Sequence, residues 1–136
     1  MREVRSALEY EIAEYLNNSG MFDCPVIPGE ADSERPDLYI SVVSINAEQR
    51  NDASIVDMEI RVVCPVDGTS VSWLQNTFAE LTTWARTPGN ILKGSQSDTL
   101  VIFGITPLSQ RQEIKERQRA EILYFKVGAK ALGLTL

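Results

Sequence analysis

The chain has 136 residues, 43% of them hydrophobic and 24% charged, which is material for one globular domain and too apolar for intrinsic disorder. Thirteen Lys and Arg against nineteen Asp and Glu leave a net charge of −6, without the overall basic footprint of a protein that grips phosphates. Histidine is absent, which removes the commonest general base, the commonest metal ligand and every Ser-His or Cys-His nucleophile scheme.

The first expected element is a helix over residues 2–19. Val4, Leu8, Ile12, Tyr15 and Leu16 fall on one stripe, and Asn17-Asn18-Ser19-Gly20 stops it, with Gly20 placed for the left-handed conformation. This start is amphipathic and Glu-rich, unlike a signal or transit peptide. The apolar runs elsewhere are strand-sized, well short of the roughly 18–20 residues a membrane span needs. The expectation is a soluble, cytoplasmic chain. From Met21 to Pro36, three prolines and a glycine among polar residues predict a loop.

Strand signals begin at Asp37, with Leu38, Ile40 and Val42 alternating against Tyr39, Ser41 and Val43. Asn46 to Asp52 reads as a polar turn. The clearest strand follows it: Val56, Met58, Ile60, Val62 and Cys64 point one way, Asp57, Glu59 and Arg61 the other. Pro65 and Gly68 end it, and the two strands form an antiparallel hairpin. A second helix runs from about Val71 to Arg86, with Ser72 and Gln75 as a capping box and Leu74, Phe78, Leu81 and Ala85 as its buried stripe. Trp73 and Trp84 flank that stripe and read as packing anchors. Thr87-Pro88-Gly89 closes the helix. A third strand covers Thr99 to Thr106, then comes a polar excursion from Leu108 to Gln118, and a fourth strand covers about Ala120 to Ala131. The expected fold class is α+β: a mainly antiparallel sheet of about four strands with two helices on one face, in the order α-β-β-α-β-β, as one domain over residues 1–136.

Few constellations offer chemistry. Gly89 to Ser95 has the glycine spacing of a phosphate loop, but Lys93 precedes its glycine and the segment runs from helix to strand, the reverse of a phosphate cradle. Asp32 to Asp37 carries three acids but lacks the central glycine of a calcium loop. Asp57 and Glu59 share one strand face, which polar/apolar alternation explains by itself. Cys24 and Cys64 are too few for a disulfide framework or a zinc site, and Cys64 reads as a small buried hydrophobe. No cofactor or metal is expected, and no enzyme.

Charge layout is more informative. Residues 109–130 hold Arg111, Lys115, Arg117, Arg119, Lys126 and Lys130 against Glu113, Glu116 and Glu121, an excess of three positive charges that leaves −9 for the rest. Such segregation suits self-association, a basic edge of one copy meeting an acidic face of the next. The fourth strand is also apolar on both faces around Ile122 to Val127, so the sheet's second face calls for partial cover by a loop or a partner.

The helix VRSALEYEIAEYL, the strand DLYISVV after a Pro-rich loop, the strand IVDMEIRVVC, the helix WLQNTFAELTTWA, the strand LVIFGIT and the closing RQRAEILYFKVGAKA together resemble the tail terminator (tail completion) proteins of long-tailed phages. The resemblance covers nearly the whole chain at the level of pattern, with no signature residue. It implies a structural virion protein of the tail or neck, forming a homohexameric ring with a central channel on the tail tube, assembled in the host cytoplasm. Its partners would be copies of itself, the tail tube protein and a head-completion or connector protein, with no membrane and no sequence-specific nucleic acid. The subunit or tube interface then falls on Arg111, Lys115, Arg117, Arg119, Tyr124 and Lys126. The alternative is a small non-viral module that binds a ligand or peptide at an open sheet edge or along the aromatic-rich helix.

Overall fold

A computed structural model of the protein describes residues 4–29, 37–66, 70–86 and 100–131. Helix α1 spans Val4–Asn18, strand β1 Val26–Pro28, β2 Tyr39–Arg50, β3 Ala53–Pro65, helix α2 Val71–Arg86, β4 Leu100–Lys115 and β5 Gln118–Ala131. The class is α+β, as expected, but among the described residues the sheet has five strands in the order β1-β2-β3-β5-β4 and is mixed. Strand β1 runs parallel to β2, with Val26 beside Ile40 and Pro28 beside Val42; every other pair is antiparallel. Three residues, preceded by Pro25 and ending on Pro28, are too few to show alternation, which is why β1 reads as loop in the sequence.

Both helices pack on one sheet face. Val4, Leu8, Ile12 and Leu16 of α1 and Leu74, Phe78, Leu81 and Trp84 of α2 close over Ile40, Val42, Met58, Ile60, Leu123 and Phe125. Fully buried Leu and Ile side chains such as these each contribute about 1.5–3 kcal/mol relative to exposure. Gly20 takes a φ of 75° after α1, as its sequence predicts. At the other helix, Leu74 N donates to Ser70 O, so α2 starts after Ser70 and the proposed Ser72–Gln75 capping box is displaced into its first turns.

Two hairpins differ from the sequence reading. Strands β2 and β3 pair as far as Arg50 with Ala53, so the polar run from Asn46 is strand and the turn is only Asn51-Asp52, with Asn51 at φ 57°. The polar excursion from Leu108 to Gln118 is likewise mostly paired strand. It is the outer half of β4, the turn Glu116-Arg117 and the start of β5. The expected end of α2 at Thr87-Pro88-Gly89 and the segments Gly89–Ser95 and Asp32–Pro36 lie outside the described residues.

Helix α1 also finishes the sheet's β1 side. Asn17 acts as a short strand, its Nδ2 donating to Val26 O at 2.8 Å and its Oδ1 accepting from Val26 N at 2.9 Å. Gly29 N then donates to Val42 O at 2.8 Å, the last backbone bond on that side among the described residues. Beyond it, Glu9 Oε2 accepts from Ser44 N at 2.7 Å and from Ser44 Oγ at 2.8 Å, while Arg5 Nη2 donates to Ser44 O at 3.2 Å and Ile45 O at 3.1 Å. Helix side chains thus satisfy strand groups that β1 is too short to reach, at a point where β2 bulges between Ser44 and Asn46.

Candidate interaction surface

Side chains alternate across a strand, so the residues opposite the helix-packed face are fixed by register. Tyr39, Val63 and Ala120 lie in one cross-strand row, and with Ile122 they make a second buried apolar cluster against which Ile27 packs. Beside it stands a charged patch. Glu59, only 5% exposed, accepts from Arg61 Nη2 at 2.8 Å and Nε at 3.2 Å, and from Arg111 Nη1 at 2.6 Å. Arg111 reaches it across β5 from β4. Asp57 pairs with Lys126 Nζ at 3.1 Å.

The electrostatics follow from these contacts. Burial pushes the Glu59 carboxyl up, but the hydrogen bonds from Arg111 and Arg61 outweigh it and hold the group below the usual carboxylate range. The Glu59 hydrogen bond raises Arg111 in turn, and Asp57 raises Lys126. Partial desolvation and then Asp57 push the Tyr124 phenol up. Glu59 is thus a carboxylate held ionised by two arginines, an arrangement that fastens β3 to β4 across β5.

The six residues singled out from the sequence do not form one patch. Arg111, Tyr124 and Lys126 share the charged face, and two of them are engaged by Glu59 and Asp57. Lys115 and Arg117 stand exposed at the closed end of the β4–β5 hairpin. Arg119 is half-buried beside Cys64, pointing with the helix-packed set, and its Nε has no hydrogen-bond partner among the described residues. Sequence reasoning took Asp57 and Glu59 as an ordinary polar strand face. Period two gives the face correctly but cannot show that Glu59 is buried by a residue two strands away.

The outer half of β4 is a different kind of surface. From Leu108 to Lys115 every residue is exposed, although all belong to one strand, and Leu108 and Ile114 are 49% and 64% exposed. Among the described residues, strand β4 is the sheet's edge. Its turn carries two non-glycine residues at positive φ, Glu116 at 52° and Arg117 at 65°, the pattern of a type I′ hairpin made without its usual Asn or Gly.

On the helix layer, Trp84 is buried, with its ring edge-on to Tyr15 at 6.0 Å, while Trp73 Nε1 donates to Asp23 Oδ1 at 3.0 Å. Met21, Ala79, Glu80, Thr83 and Trp84 line an open apolar groove of about 520 Å³. Cys64 is buried and Cys24 half-buried, and neither forms a disulfide. Among the described residues no group of three or more Asp, Glu, Cys or His is placed to hold a metal, and no helix is long and apolar enough to cross a membrane.

No family model and no curated protein matches the sequence. Among solved structures, one whose name carries no functional description aligns with 94% of this chain and 92% of its own, at 16% identity and a TM-score of 0.52. At that identity the likeness is one of fold alone.

Proposed function

We propose that this chain is a structural subunit without catalytic activity, a single-domain virion protein of the tail-terminator kind that forms a ring, homohexameric in the resemblance, where a phage tail tube meets the head or neck. The observation that carries the reading is the edge strand β4, whose outer half is exposed on both faces and mixes apolar Leu108 and Ile114 with Arg111 and Lys115. Long open edges are templates for association, which monomeric proteins keep short or covered. The charge layout supports the same reading, since Lys115 and Arg117 at the hairpin end are free to meet an acidic neighbour on the tube or an adjacent copy.

Negative-stain microscopy of concentrated protein, alone and mixed with tail tubes, tests the proposal. Rings, or caps at tube ends, are the expected result. Replacing Lys115 and Arg117 by Glu weakens capping and reduces its sensitivity to salt. Failure to bind tubes at any salt concentration would overturn it. The groove beside Trp84 is the observation that favours the second reading, a ligand- or peptide-binding module, which requires a solution monomer or dimer with a ligand-dependent Trp84 fluorescence signal.

A further inference from the structure

Hydrogen-bonding direction along β4 follows from its turn. A two-residue loop of the I′ kind makes the closing residues, Lys115 and Gln118, a pair that exchanges backbone bonds. In an antiparallel ladder such pairs alternate with pairs that do not. Arg111, Glu113 and Lys115 therefore direct their N–H and C=O groups at β5, and Gln110, Gln112 and Ile114 direct theirs away from the sheet. The ladder shifts register between Pro107 and Ser109, so the regular open edge runs from Ser109 to Lys115.

We propose that this edge recognises a second copy of itself, two β4 strands pairing antiparallel about a two-fold axis at Gln112. In that register the outward-facing residues meet one another: Gln112 lies opposite the partner copy's equivalent, and Gln110 opposite the position of Ile114. About six backbone hydrogen bonds form between the chains. The intervening positions are the close, non-bonded pairs, and they set Arg111 of each copy against the Glu113 position of the other. Ser109 falls opposite the Lys115 position.

The charge sequence selects this register. Sliding the strands by two residues in one sense sets the Arg111 position against itself. Sliding them the other way sets the Glu113 position against itself and Arg111 against Lys115. Like charges directly opposite are unfavourable, so both neighbouring registers are disfavoured. Arg111 is able to serve both partners: its Nη1 holds Glu59, yet its side chain is 48% exposed and a guanidinium has five N–H donors. Exposed Ile114 gains cover against the chain opposite. The contact is isologous and closes with two copies, so it takes up the same β4 edge on which the ring reading rests; it would join two molecules, or two rings face to face where the rings close through other surfaces.

The test uses the full chain with Cys24 replaced by Ser and Cys64 left in the core. Sedimentation equilibrium over a concentration series reads the dimer. Glu113→Arg puts Arg against Arg at two places and weakens the dimer by about tenfold or more. Gln112→Pro removes an outward N–H that β5 does not use, and it abolishes the dimer while circular dichroism stays that of the parent. Oxidative cross-linking checks the register without requiring the fold to tolerate a charge change. Gln112→Cys forms a covalent dimer alone, because hydrogen-bonded antiparallel partners have Cα atoms about 5.5 Å apart, within disulfide reach. Gln110→Cys does so only when mixed with Ile114→Cys. The proposal is overturned by a protein that stays monomeric throughout the series. It is equally overturned by self-association that neither Glu113→Arg nor Gln112→Pro alters, or by cross-linking that ignores this register.

Discussion

Removing the Glu59 carboxylate is the sharpest perturbation the fold offers. Its side chain is 6% exposed, and among the described residues its side-chain partners are both cationic: Arg61 from the same strand and Arg111 from β4. Taking one partner from a fully buried ion pair costs about 3–5 kcal/mol. Here the arginine side chains are 32% and 48% exposed, so water relieves much of the stranded charge. Glu59→Gln, which keeps one acceptor oxygen, should then cost about 1–2 kcal/mol in urea unfolding at pH 7, and a cycle with Arg111→Ala should show about 1 kcal/mol of coupling. The acid limb gives an independent check. Because the folded carboxyl titrates below its unfolded value near 4.5, its contribution is complete above that value and drains away as pH falls through the folded one. The stability gap between parent and Glu59→Gln should therefore be constant near neutrality and narrow in acid. A gap below about 0.3 kcal/mol at pH 7, or one that persists unchanged in acid, would mean that the Glu59 carboxylate does not hold these strands together.

Three further outcomes are expected. Rebuilding the β4–β5 turn as Glu116→Asn with Arg117→Gly relieves two positive-φ residues and should stabilise the chain by about 1 kcal/mol, read as a shift of the urea midpoint at unchanged slope. Asn17→Ala breaks both bonds to Val26 and should cost about 1–3 kcal/mol, with hydrogen exchange at Ile27 and Ile40 rising ahead of the rest of the sheet. Burial, reinforced by the Asp23 charge, pushes the Cys24 thiol up from 9.0 to about 11, so at pH 8 it should alkylate about a hundredfold more slowly than an unperturbed thiol, as mass spectrometry of iodoacetamide-treated protein would show.

How much of this was legible in the sequence depends on whether an element hides a face. Helix α1, helix α2 and strand β3 each bury one, and their periods of 3.6 and 2 place the core residues Leu8, Ile12, Phe78, Ile60 and Val62 correctly. The outer half of β4 buries neither face, so Ser109 to Lys115 shows no apolar alternation and reads as an excursion. Strand β1 is too short to have a period. The Glu59–Arg111 contact joins residues 52 positions apart across an intervening strand, and only the register of β4 on β5 brings them together. The basic cluster fared similarly: Arg111 and Lys126 are near in sequence to Arg117 but are taken up by acids on β3.

The role of α1 along β2 has a consequence for damaged molecules. Arg5, Glu9 and Asn17 together occupy groups that a neighbouring strand would otherwise seek. A protease that nicks the chain near Gly20 and lets the first helix depart would bare a second adhesive border opposite β4. An intact molecule presenting one such border can stop at a pair; a clipped one, sticky at both ends of its sheet, has the valence to run on into a fibre.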